Sequence, residues 1–68
     1  MRPTRRYNIL IGDETYKAEL WKNHFHYGRG WIISLPGNGF WYLSDPSVNY
    51  MKRSVRKEFP EAKFEAVH

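Results

Sequence analysis

The apolar period of this chain changes twice, and the two changes set the order of its elements. Up to Leu43 the chain consists of short runs in which apolar residues alternate with others. From Val48 to Phe59 the apolar positions Val48, Met51, Val55 and Phe59 recur three or four apart, and beyond Pro60 the alternation returns. Alternation at two marks strands, and spacing at three and four marks one face of a helix.

The first strand is expected over Tyr7–Ile11 and the second over Glu14–Lys22, joined by Gly12-Asp13. A two-residue turn with glycine supplies the positive φ that tight hairpins need. Closing it pairs Ile11 with Glu14, Ile9 with Tyr16 and Tyr7 with Ala18, and sets Arg6 across from Glu19 as a favourable charge pair. Asn23–Gly30 (NHFHYGRG) reads as a loop or bulged strand entry. Trp31–Leu35 and Phe40–Leu43 form a second hairpin around Pro36-Gly37-Asn38-Gly39. The expected register pairs Leu35 with Phe40 and Ile33 with Tyr42 on one face, and Ser34 with Trp41 and Ile32 with Leu43 on the other.

Ser44-Asp45-Pro46 opens the helix, since Ser or Asp caps free amides and proline fits the first turn. Pro60 ends it, and Glu61–Val67 gives a last strand at a sheet edge. The expected fold is α+β, in β-β-β-β-α-β order, with one helix on one face of a small antiparallel sheet. One domain spans 1–68, with residues 1–5 as a flexible basic arm.

Sixty-eight residues without cysteine leave neither a disulfide nor a thiolate metal site to hold the fold, so packing must do so. Twelve aromatic rings supply it, five of them between Gly30 and Met51. That stretch has no lysine or arginine and a single acid, Asp45. The basic Met1–Arg6 segment resembles the start of a signal peptide, yet Ile9-Leu10-Ile11 is too short for its apolar core. No stretch is long enough to span a bilayer. A cytoplasmic, non-membrane protein is expected.

The formal net charge of +4 favours polyanionic partners. One helix covers one sheet face, here the one with Tyr7, Ile9, Ile11, Tyr16, Ala18, Leu20, Trp31, Ile33, Leu35, Phe40 and Tyr42. The other face then presents Leu10, Trp21, Ile32, Trp41 and Leu43 among Lys17, Glu19, Thr15 and Ser34, a patch that needs a reason. A lid formed by the loop or the arm is the structural reason. A functional one is nucleic acid, DNA or RNA: Trp21 and Trp41 stack on bases beside Lys17, while Arg5, Arg6 and Arg29 engage phosphate. The layout is similar to compact DNA-binding domains that insert a sheet into the major groove.

The alternative is a small modulator of an acidic protein partner, such as an inhibitor or adaptor from a phage or mobile element, with the same tryptophans as anchors. The chain would act as a monomer or homodimer. Lys52, Arg53, Arg56 and Lys57 form a second basic cluster on the helix, expected on its solvent side. His24 and His26 suggest a metal pair or ribonuclease-like acid–base chemistry. Neither a third ligand nor a placed nucleophile accompanies them. The expectation is therefore a non-enzymatic binding module with no metal and no cofactor.

Overall fold

Five strands and one helix follow in the chain as β1 (Arg5–Ile11), β2 (Glu14–His24), β3 (Gly28–Ser34), β4 (Phe40–Leu43), α1 (Val48–Glu58) and β5 (Lys63–Val67). This computed structural model describes residues 2–35, 37 and 39–68. The sheet is antiparallel throughout in the order β4-β3-β2-β1-β5, so β4 and β5 are its edges.

The β1–β2 hairpin has the expected register, Ile11 with Glu14 through Arg6 with Glu19. Gly12 has φ 60, whereas Asp13 does not have positive φ. Positive φ at the first turn residue alone is the sign pattern of a type II′ turn. Arg6 Nε lies 3.8 Å from Glu19 Oε2, a surface pair worth a fraction of a kcal/mol, of order 0.5. Thr4 and Arg5 continue the ladder: the Thr4 amide donates to the Leu20 carbonyl at 2.7 Å, and Arg5 pairs with Leu20.

The second hairpin departs from expectation by one residue. Trp31 pairs with Leu43, Ile32 with Tyr42, Ile33 with Trp41 and Ser34 with Phe40. A shift of one exchanges the faces of every side chain on the strand. Trp41 and Leu43 therefore lie on the helix face and pack against the core, while Phe40 and Tyr42 move to the open face. Two features favour this register. It lets the Tyr42 hydroxyl reach backbone carbonyls outside the core (2.8 Å to Tyr27, 2.6 Å to Arg29), as a phenol requires. It also places Tyr42 and Leu43 against Gly30, at φ 146, where a Cβ would collide with the Leu43 carbonyl oxygen. The turn expected over residues 36–39 includes Pro36 and Asn38, which lie outside the described residues.

The helix starts later than expected. Ser47 is the N-cap, its hydroxyl accepting from the Tyr50 amide at 3.1 Å. Asp45 supports the cap by accepting from the Ser47 amide at 2.8 Å. The Ser47 carbonyl also accepts from Trp31 Nε1 at 3.2 Å, which ties the helix start to β3. Met51 and Val55 are fully buried against Ile9, Ala18, Trp31 and Ile33, with Ala62 closing the core from the turn before β5. Val48 and Phe59 extend the same stripe at partial burial.

Candidate functional site

The register fixes what the open face shows. Residues across it run Tyr42, Ile32, Glu19, Arg6 and Val67 in one row and Phe40, Ser34, Lys17, Asn8 and Glu65 in the next. Trp21 lies beyond the first row, opposite Gly30. Of the expected interface residues, Trp21, Lys17 and Arg6 share this face. Trp41 does not, because of the register shift. Arg5 alternates to the helix side, and Arg29 is exposed at the irregular start of β3.

Beside Trp21, expected on this face, gather Phe25 and Tyr27 from the loop, together with Phe40 and Tyr42, whose expected place is the helix face. The pairing of β2 with β3 is irregular between Trp21 and His24, and residues 25–27 turn back over the end of the sheet. His24 holds that turn: its Nδ1 accepts from the amides of His26 at 3.1 Å and Tyr27 at 3.4 Å. A ring nitrogen that accepts carries no proton, so the neutral ring bears its hydrogen on Nε2. The His24 ring meets Trp21 edge-on, with centroids 4.8 Å apart and planes at 85°. On it stacks Phe25, at 5.2 Å and 15°. Tyr27 stacks on Tyr42 at 4.8 Å and 20°.

Between this turn and β4 runs a groove of about 350 Å³, walled by Trp21, Phe25, Tyr27, Ile32 and Phe40, with Glu19 contributing its polar edge. Phe25 is 84% exposed and Phe40 68%. Trp21 Nε1 is buried with no hydrogen-bond partner, alone in this among the described residues. An orphaned donor costs roughly 1–3 kcal/mol.

Charge is unevenly placed along the strands. The end of the sheet with the aromatic turn carries Arg5 and Arg6 on β1, Lys22 on β2 and Arg29 on β3, with Arg2 just ahead of β1. Asp13 and Glu14 lie at the opposite end, with Glu61 and Lys63 also there, Lys63 pairing with Leu10. A second hollow of about 540 Å³, lined partly by Arg5, Arg6 and His68, adjoins the basic end.

The helix cluster divides. Lys52 Nζ sits 5.3 Å from the Tyr7 ring centroid and 5.8 Å from that of Phe64, and the Arg56 guanidinium lies 5.0 Å from Phe64. Arg56 Nε also donates to the Ala62 carbonyl at 3.4 Å. Lys52 is half-buried over these rings, while Arg56 covers Phe64 and is still exposed. Arg53 and Lys57 remain exposed. Among the described residues no three His, Asp or Glu side chains gather to hold a metal ion. Among the described residues no helix is long and apolar enough to cross a membrane.

The pattern of single apolar residues could have pointed to Phe25, since no strand claims it. Nothing in the sequence separates Phe40 and Tyr42 from the core. The chain matches no family model, no curated protein and no solved structure.

Proposed function

We propose that this protein is a non-enzymatic nucleic-acid-binding module whose contact surface is the aromatic, basic end of the open sheet face. One observation carries the reading: Phe25, Tyr27 and Tyr42 stand on the uncovered face at the end where Arg2, Arg6, Lys22 and Arg29 collect, with Phe40 two residues further in along β4 and Arg5 on the helix side of the same end. Rings offer base stacking and cations offer phosphate contact, and their coincidence suits a polyanion with planar groups. Trp21 contributes as the groove floor and Lys17 as the cation beside Phe40's row. Trp41 has no part in it. A reducing cytoplasm, where such partners occur, suits a chain without cysteine.

The engagement of His24 Nδ1 by two backbone amides supports a structural role for that residue over acid–base chemistry. The test is a mobility shift against a mixed oligonucleotide pool at low salt. A shift that weakens as salt rises is expected, and no shift would remove the reading.

A second reading, an acidic protein partner, is favoured by the groove's apolar walls. In that case Phe25 and Phe40 would be the anchors. Capture of a partner that survives nuclease and moderate salt distinguishes it.

A further inference from the structure

The open face has dimensions as well as chemistry, and these discriminate between forms of nucleic acid. We infer that the ligand is single-stranded, with unpaired bases received in the groove between the 25–27 turn and β4. The inference rests on the nucleic-acid reading above and specifies its substrate class.

Width is the first argument. Five strands make four spacings of about 4.8 Å, so the sheet is roughly 19 Å across before side chains are added. The major groove of B-form DNA is about 12 Å wide and admits a helix or a two-stranded ribbon. The 25–27 turn and Trp21 project on β2 and β3 alone, past the last pairs of β1 and β4, but Phe40, Tyr42 and Ile32 lie in the body of the sheet, so the whole aromatic face is wider than that groove. Docking of the whole face in a major groove is therefore not the arrangement we infer.

The rings give the second argument. Phe25 and Phe40 have no polar atom and are 84% and 68% exposed. A duplex presents phosphates, sugars and base edges, with base faces already stacked on one another, so these rings gain little from it. Unpaired bases offer whole faces, and stacking is how sheet-borne aromatics hold single strands. Phe25 already packs against His24 and His26, with centroids 5.2 Å and 4.2 Å away, and its remaining exposed ring surface would extend that cluster onto a base. The groove, at about 350 Å³, falls within the range of small-molecule sites and has an apolar wall on each side.

The cations give the third. Arg2, Lys22 and Arg29 rim the aromatic end as exposed charges, and Arg6, weakly paired with Glu19, lies beside them. A few phosphates can be met this way.

The experiment measures fluorescence anisotropy of labelled eight-nucleotide oligo-dT and oligo-U, and of a DNA hairpin duplex of eight base pairs, at one low salt concentration. At least one single strand is expected to bind tenfold or more tightly than the duplex. Phe25→Ala and Phe40→Ala, each with an unchanged circular dichroism spectrum, are expected to weaken that binding by about 5- to 100-fold. A duplex that binds as tightly as the strands overturns the inference while leaving the nucleic-acid reading in place. Strand binding that survives both substitutions overturns the groove as its site. Absence of binding by all three probes removes the underlying reading, and the groove is then left to a protein partner.

Discussion

His24 organises the site from a single ring nitrogen. Its Nδ1 accepts two amides and its faces support Trp21 and Phe25, so the turn depends on an acceptor at that position. His24→Ala should speed exchange of the His26 and Tyr27 amides by about fivefold, the equivalent of one ordinary hydrogen bond near 1 kcal/mol. His24→Asn should restore much of the protection, because its side-chain oxygen can accept in the same way. Hydrogen exchange by NMR reads both, and equal rates in the two variants would leave the turn without its proposed support. Gly30 is the other decisive residue. At φ 146, beside the Leu43 carbonyl and 3.0 Å from the Tyr42 ring for an added Cβ, Gly30→Ala should cost about 3 kcal/mol in urea denaturation. A loss below about 1 kcal/mol would mean that β3 and β4 can part to admit the methyl group.

At the scale of elements, β4 determines which rings are core. With Phe40 and Tyr42 outward, Phe40→Thr should shift stability by less than about 1 kcal/mol, whereas Trp41→Thr should remove about 2–3 kcal/mol. Threonine keeps strand propensity at both positions, so the difference reports burial. The register expected from sequence gives the reverse order, and chemical denaturation of the two variants decides between them. The helix rests on its cap in the same measurable way. Ser47→Ala should destabilise the protein by about 1 kcal/mol, seen as a lower midpoint in the 222 nm signal. In a domain this small that is a sizeable share of the total, since cores of this size rarely supply more than about 3–5 kcal/mol.

Over the whole molecule, the positive charge has two ends with different duties. The sheet end carries Arg2, Arg5, Lys22 and Arg29, while on the helix Lys52 and Arg56 cover Tyr7 and Phe64, leaving Arg53 and Lys57 outward. Replacing Arg2, Arg5, Lys22 and Arg29 together with glutamine should lower the salt slope of oligonucleotide binding by at least about 2. Replacing Arg53 and Lys57 should leave affinity within about twofold. If the helix pair proves the more damaging, the binding surface lies on the opposite side of the molecule. Thermal unfolding should be one cooperative step for every variant, because a single core joins helix and sheet.

The sequence by itself determined the order of elements, the β1–β2 register and the buried stripe of the helix. In β2 the charges Lys17 and Glu19 alternate with Tyr16, Ala18 and Leu20, so turning that strand over would bury them, and the two-residue turn at Gly12-Asp13 then fixes the register of β1. Val48, Met51, Val55 and Phe59 are similarly unambiguous, with charges on the remaining faces of the helix. The stretch from Gly30 to Met51 lacks that punctuation. Phe40-Trp41-Tyr42-Leu43 is apolar or aromatic at every position, so either face could pass for core. There the tertiary structure decided, through the Tyr42 hydroxyl's need for carbonyl partners and the close approach of Leu43 to Gly30. That choice moved Trp41 inward and Phe40 outward, and the candidate site moved with them.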